Sequence, residues 1–160
     1  MRLIISAVGR LKDGPERALL ERYRDRLEPL AKRLGLAPVA WHETGESRAG
    51  DAARRREEEG AALLKPVRDA EFVVALDVQG KSLGSEAIAR LLADKRDAGS
   101  KAMGILVGGP DGLSEAVLAA AHLRLSFGAV TLPHGLARIV LAEQLYRAAT
   151  ILSGHPYHRA

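Results

Sequence analysis

The chain contains no cysteine. Disulfides, thiolate nucleophiles and cysteine-based zinc sites are thereby excluded together. It also lacks an apolar run approaching the ~20 residues that a membrane span requires. Its opening residues, Met1 to Val8, are too short for a signal peptide and have no cleavage region, so they read as a first strand. The expectation is a cytoplasmic protein with no membrane association. The histidines His155 and His158 have no carboxylate or third histidine beside them, which argues against a metal site.

The chain has 160 residues, 47% of them hydrophobic and 28% charged, which suits one soluble domain spanning 1–160. Lys and Arg number 24 against 20 Asp and Glu, a net charge of +4. Most of the cations are Arg, whose planar fork pairs with phosphate and stacks on bases. A charge of this size leans towards a polyanionic partner, but it also serves simple solubility.

Apolar runs alternate with amphipathic ones along the whole length. Strands are expected over Leu3–Val8, Leu36–Trp41, Glu71–Asp77, Ala102–Val107 and His122–Phe127. A helix is expected from Gly14-Pro15 to about Leu34, closed by Gly35, and a second from a Ser85 cap to about Asp97. A short helix follows Ser114, and a long one covers Gly135 to Leu152. The polar stretch His42 to Gly60 reads as a solvated loop and helix face, or as an RNA-phosphate contact through Arg54-Arg55-Arg56. The pattern predicts an α/β fold, a mostly parallel sheet flanked by helices.

Three strand-to-loop transitions carry the candidate chemistry. Gly108-Gly109-Pro110-Asp111-Gly112 follows a buried strand and precedes a helix, where α/β folds bind ligands. It is neither a Walker A loop nor a dinucleotide fingerprint, and it equally suits a tight turn. Leu76-Asp77-Val78-Gln79-Gly80-Lys81 is a turn of similar character. Phe127 to Leu132 is extended and mainly apolar, able to wrap a flat ring through backbone hydrogen bonds, or to form one more strand. The last helix is apolar on more than one side, which suggests a dimer interface.

Taken jointly, Leu76-Asp77-x-x-Gly80-Lys81, Gly108-Gly109-x-x-Gly112-Leu113, Leu125-Ser126, Thr131-x-Pro133-His134, Arg138, Glu143-Gln144-x-Tyr146-Arg147-Ala148 and Tyr157-His158 resemble the SPOUT (α/β-knot) methyltransferases. Within these, the resemblance is to the RlmH family of 23S rRNA pseudouridine N3-methyltransferases, over essentially the full length. It implies a C-terminal trefoil knot, a homodimer, and action on assembled ribosomes or large subunits. It further implies that S-adenosylmethionine binds at Leu76, Gly108, Phe127, Gly128, Ala129, Val130, Thr131 and Leu132. The resembling motifs make His134, Arg138, Tyr157 and His158 the candidate catalytic residues, with the tail closing over cofactor and base. A non-catalytic ribosome-binding module and a phosphotransferase are the competing classes. The latter needs a phosphate cradle and metal-binding carboxylates, for which only Asp77 and Asp111 stand out.

Overall fold

Alternation along the first strand, β1 (Arg2–Val8), sets the architecture. Leu3, Ile5 and Ala7 enter one apolar cluster while Ile4 and Val8 enter another, so both faces of the strand are covered. The structure, a computed structural model, describes residues 1–159. Four more strands, β2 (Val39–Thr44), β3 (Phe72–Ser82), β4 (Ala102–Val107) and β5 (Leu123–Ser126), complete a sheet of order β2-β1-β4-β3-β5. All four neighbouring pairs are parallel. The loops after the strands therefore gather at one edge.

On the first face lie α1 (Pro15–Arg33), α3 (Ser85–Asp97) and α5 (His134–Leu152). They contribute Leu27, Leu30 and Ala31, then Ile88 and Leu92, then Leu141, Leu145 and Ala148 to one core. The second face is covered by α2 (Ala52–Leu64), a 3-10 turn (Lys65–Val67) and α4 (Glu115–Ala120), through Leu63, Val67 and Val117. Burying each of the Leu, Ile and Val side chains among these contributes roughly 1.5–3 kcal/mol. Among the described residues no helix is long and apolar enough to cross a membrane.

Several local expectations shift. The second strand starts at Val39 rather than Leu36, because Pro38 has no N–H for the ladder. Ser85 does not cap α3. Gly84 occupies the cap, and the Ser85 hydroxyl instead donates to Gln144 Oε1 on α5 at 2.7 Å. Gly80 does not end β3: Leu76 and Lys81 both pair with Leu125, so residues 77–80 bulge out and the strand returns to the same partner. The polar stretch is β2 running on to Thr44, a loop, and α2 capped by the Asp51 carboxylate accepting from Arg54 N.

Candidate active site

The three transitions meet at the carboxyl ends of β4, β3 and β5. They enclose a cavity of about 700 Å³, within the range of small-molecule sites. Leu76, Asp77 and Val78 form one wall, Gly108 to Leu113 a second, and Phe127, Gly128, Val130, Thr131 and Leu132 a third. His134 and Ala137, from the first turn of α5, complete the lining.

Each wall is shaped by short local devices. A Cβ at Gly108 would lie 2.8 Å from Leu113 Cδ2, and one at Gly109 would lie 2.9 Å from Glu59 Oε2. Either Cβ would have to displace a packed side chain, so glycine lets the loop backbone lie close against its neighbours. Behind it, Arg55 holds Asp111 through Nε at 2.7 Å and a second nitrogen at 3.0 Å, and also donates to Ala49 O. That fork holds the Asp111 carboxyl below the usual carboxylate range and raises Arg55. Arg55 is thus committed to the loop, leaving Arg54 to pair with Glu58 on the same helix. Ser47 N donates to the buried Glu59, fixing the loop after β2 against α2.

In the third wall the buried Ser126 hydroxyl donates to Gly128 O at 2.9 Å and accepts from Gly128 N at 3.2 Å. Gly128 has φ +119°, a conformation that side chains with a Cβ rarely adopt. Asp77 is occupied on both oxygens, by Gln79 N and by Arg124. The Gly80-Lys81-Ser82-Leu83-Gly84 segment has the spacing of a hydrolase elbow, but the Ser82 hydroxyl makes no hydrogen bond among the described residues.

His134 stands at the cavity rim with Nε2 3.5 Å from Glu46 Oε1, and a Cβ at Gly9 would lie 2.9 Å from the same nitrogen. Arg138, one turn further along α5, is fully buried. Its guanidinium donates to Glu43 Oε1 at 2.6 Å, Val8 O at 2.7 Å and Gly9 O at 3.0 Å. Burial lowers its pKa, and the Glu43 carboxylate opposes that shift. It does not line the cavity; it staples α5 to the end of β1.

The tail lies elsewhere in this chain. The Tyr157 ring packs edge-on against Tyr146 at 4.7 Å, and its hydroxyl donates to Glu143 Oε1 at 3.1 Å. Burial, then Tyr23 and Glu143, push its phenol well above the ordinary value. His158 sits 3.5 Å from Arg147 and 3.8 Å from Glu86. Glu143 is nine residues beyond His134 on α5, or about 14 Å along the axis. A single chain therefore does not bring Tyr157 and His158 to the cavity.

Of the residues expected to hold a cofactor, Leu76, Gly108, Phe127, Gly128, Val130, Thr131 and Leu132 line the cavity. Ala129 is exposed and is not part of the lining. Glu43, Glu46, Arg55 and Glu59 are the residues that the sequence left among generic charges. Their only signal was charge, in a polar stretch that runs from the end of β2 through a loop into α2.

Residues 1–158 match the family model described as predicted SPOUT methyltransferase. A protein of Rhodopseudomonas palustris (strain BisB18) named ribosomal RNA large subunit methyltransferase H is 51% identical over 160 residues, covering 100% of both chains. A protein of that name from Rhizobium meliloti (strain 1021) is also 51% identical, again over 100% of both chains. Among solved structures, a probable methylase family protein from Haemophilus influenzae Rd KW20 aligns with a TM-score of 0.52 at 12% identity. It covers 99% of this chain and 70% of that one, a likeness of fold.

Proposed function

Because the chain belongs to the SPOUT methyltransferase family, we propose that it methylates N3 of a pseudouridine in 23S rRNA, with S-adenosylmethionine as donor. The substrate form is the large subunit or assembled ribosome. The observation that carries the reading is the cavity itself, three backbone-built walls with a histidine at the rim. The lining suits that donor: bare glycine backbone at Gly108 and Gly109 admits close approach, and Leu76, Phe127, Val130 and Leu132 give apolar flanks for a flat ring.

When bound, the donor supplies a methyl group already activated on a sulfonium sulfur. What remains for the chain is to orient the base and manage the N3 proton. His134 is the group at the rim that can take it: Nε2 faces the Glu46 carboxylate at 3.5 Å and keeps its own proton there, which leaves Nδ1 as the accepting nitrogen. Arg138 acts through the position of α5 rather than by contact.

The reading includes a homodimer. Leu19 on α1 and Leu136 on α5 are large apolar side chains left 37% and 41% exposed. Since Tyr157 is held at Glu143, about 14 Å along α5 from the His134 rim of its own cavity, with His158 beside it at Arg147, their role in catalysis is served at the cavity of the second subunit. The threaded C-terminal knot belongs to the same reading, supported by the family match over 1–158.

Methyl transfer from S-adenosylmethionine to purified large subunits, with the modified nucleotide mapped by mass spectrometry, tests the proposal. N3-methylated pseudouridine in 23S rRNA is expected. Saturating donor with no binding in calorimetry and no product would refute it.

A further inference from the structure

A second cavity, of about 220 Å³, opens between α1 and β2 and plays no part in holding the donor. Ala7 and Leu20 are in its lining, and its polar residues are Arg17, Arg24, His42, Glu43 and Arg138. Three guanidiniums thus face a single carboxylate in the lining, with Glu21 4.0 Å from Arg17 as the nearest further acid. Two of the three are already committed. Arg17 serves Leu11 O and Glu43 at 3.0 Å, and Arg138 serves Glu43 and the end of β1. Even so, the buried Arg138 Nε has no hydrogen-bond partner. Arg24 makes no hydrogen bond or ion pair among the described residues; its guanidinium lies over the Trp41 ring, 5.4 Å from the centroid. A guanidinium resting on an aromatic face keeps its edge donors free for an oxyanion.

Resting on the function proposed above, we propose that this cavity is a phosphate subsite for the RNA backbone flanking the target base, with Arg24 as its contact residue. The cavity has room for a phosphodiester group with several waters. The excess of positive charge asks for an anion. Its position selects the RNA: Glu43 and Arg138 line this cavity, Arg138 binds Gly9 O, and Gly9 abuts His134 at the rim of the methyl-transfer cavity. One thin partition separates the two, within reach of a nucleotide next to the one being modified.

The test is Arg24→Gln and Arg24→Lys in the full chain, assayed for methyl transfer against concentration of large subunits at several salt concentrations. Losing one counterion-releasing contact weakens binding roughly four- to sixfold at about 0.15 M salt and flattens the log–log salt slope by about 0.7–0.9. The expected result is that shift in KM for R24Q, with kcat and calorimetric affinity for S-adenosylmethionine unchanged and R24K recovering most of the loss. An R24Q enzyme with unaltered KM and salt slope overturns the subsite. So does R24Q dissociating the protein on a sizing column, which would assign the cavity to a second copy of the chain. A wild type that transfers no methyl to large subunits removes the functional reading itself, and this subsite with it.

Discussion

Removing the Glu43 carboxylate should unfold the protein more readily than any other single change at the edge of β2. In Glu43→Ala, Arg138 keeps the two carbonyls of Val8 and Gly9 but loses its counter-charge, in a side chain only 1% exposed. Stranding a buried charge costs about 3–5 kcal/mol. Glu43 itself is 22% exposed and Arg17 is freed towards solvent, so the low end applies. At roughly 2–4 °C per kcal/mol for a chain of this size, about 3 kcal/mol is a fall in Tm of about 6–12 °C. The decisive comparison adds Arg138→Met, which removes the stranded charge while keeping an apolar stem. Calorimetric melting of the two single variants and the double should show a coupling of about 1.5–3 kcal/mol, the double falling short of the sum. Strict additivity, or a cost below about 1 kcal/mol for E43A, would refute the staple. If Arg138 instead acts on the substrate, the double variant will be stable and still inactive.

Gly80→Ala should be severe, because its Cβ would lie 2.6 Å from the Arg124 carbonyl group, which is backbone and cannot swing aside. A loss of about 3 kcal/mol or more in chemical denaturation is expected, with β5 detaching from β3. Ending the chain after Gly154 removes Tyr157 from Tyr146 and Glu143 but leaves every cavity residue in place. Donor binding by calorimetry should persist while methylation of large subunits is lost. The Arg55 fork depresses the Asp111 pKa, so the loop anchor is fully present above the ordinary carboxylate value of 3.8 and is lost as pH falls through the lower folded value. Donor affinity should therefore stay level from neutral pH down to about 5 and fail only in stronger acid, whereas R55Q should bind weakly at every pH.

The sheet was legible because period and composition agree: Phe72-Val73-Val74-Ala75-Leu76 and Ala102 to Val107 are apolar on both sides, as buried parallel strands must be. The cavity was legible because the turns that enclose it are marked by glycines, a proline and strand ends, which are visible in a single chain. The charged side chains were not. Nothing around Arg55 distinguishes it from Arg54 and Arg56, and its partner Asp111 lies 56 residues away. The Arg138 motif residue was legible as special but not in its role, since burial against β1 depends on where α5 comes to rest. Tyr157 and His158 raise the same difficulty in another form: a tail's position depends on contacts, here with Tyr146 and Arg147, that no local pattern encodes.

The hydrogen bond from Arg138 to Val8 O spans 130 residues of chain. Closing so long a loop is entropically unfavourable before any other gain arrives, and distant contacts of this kind slow folding. During synthesis, the first strand waits for its clasp until α5 has been made. His134 begins α5 one turn before Arg138, so its place beside Gly9 is held by the same clasp.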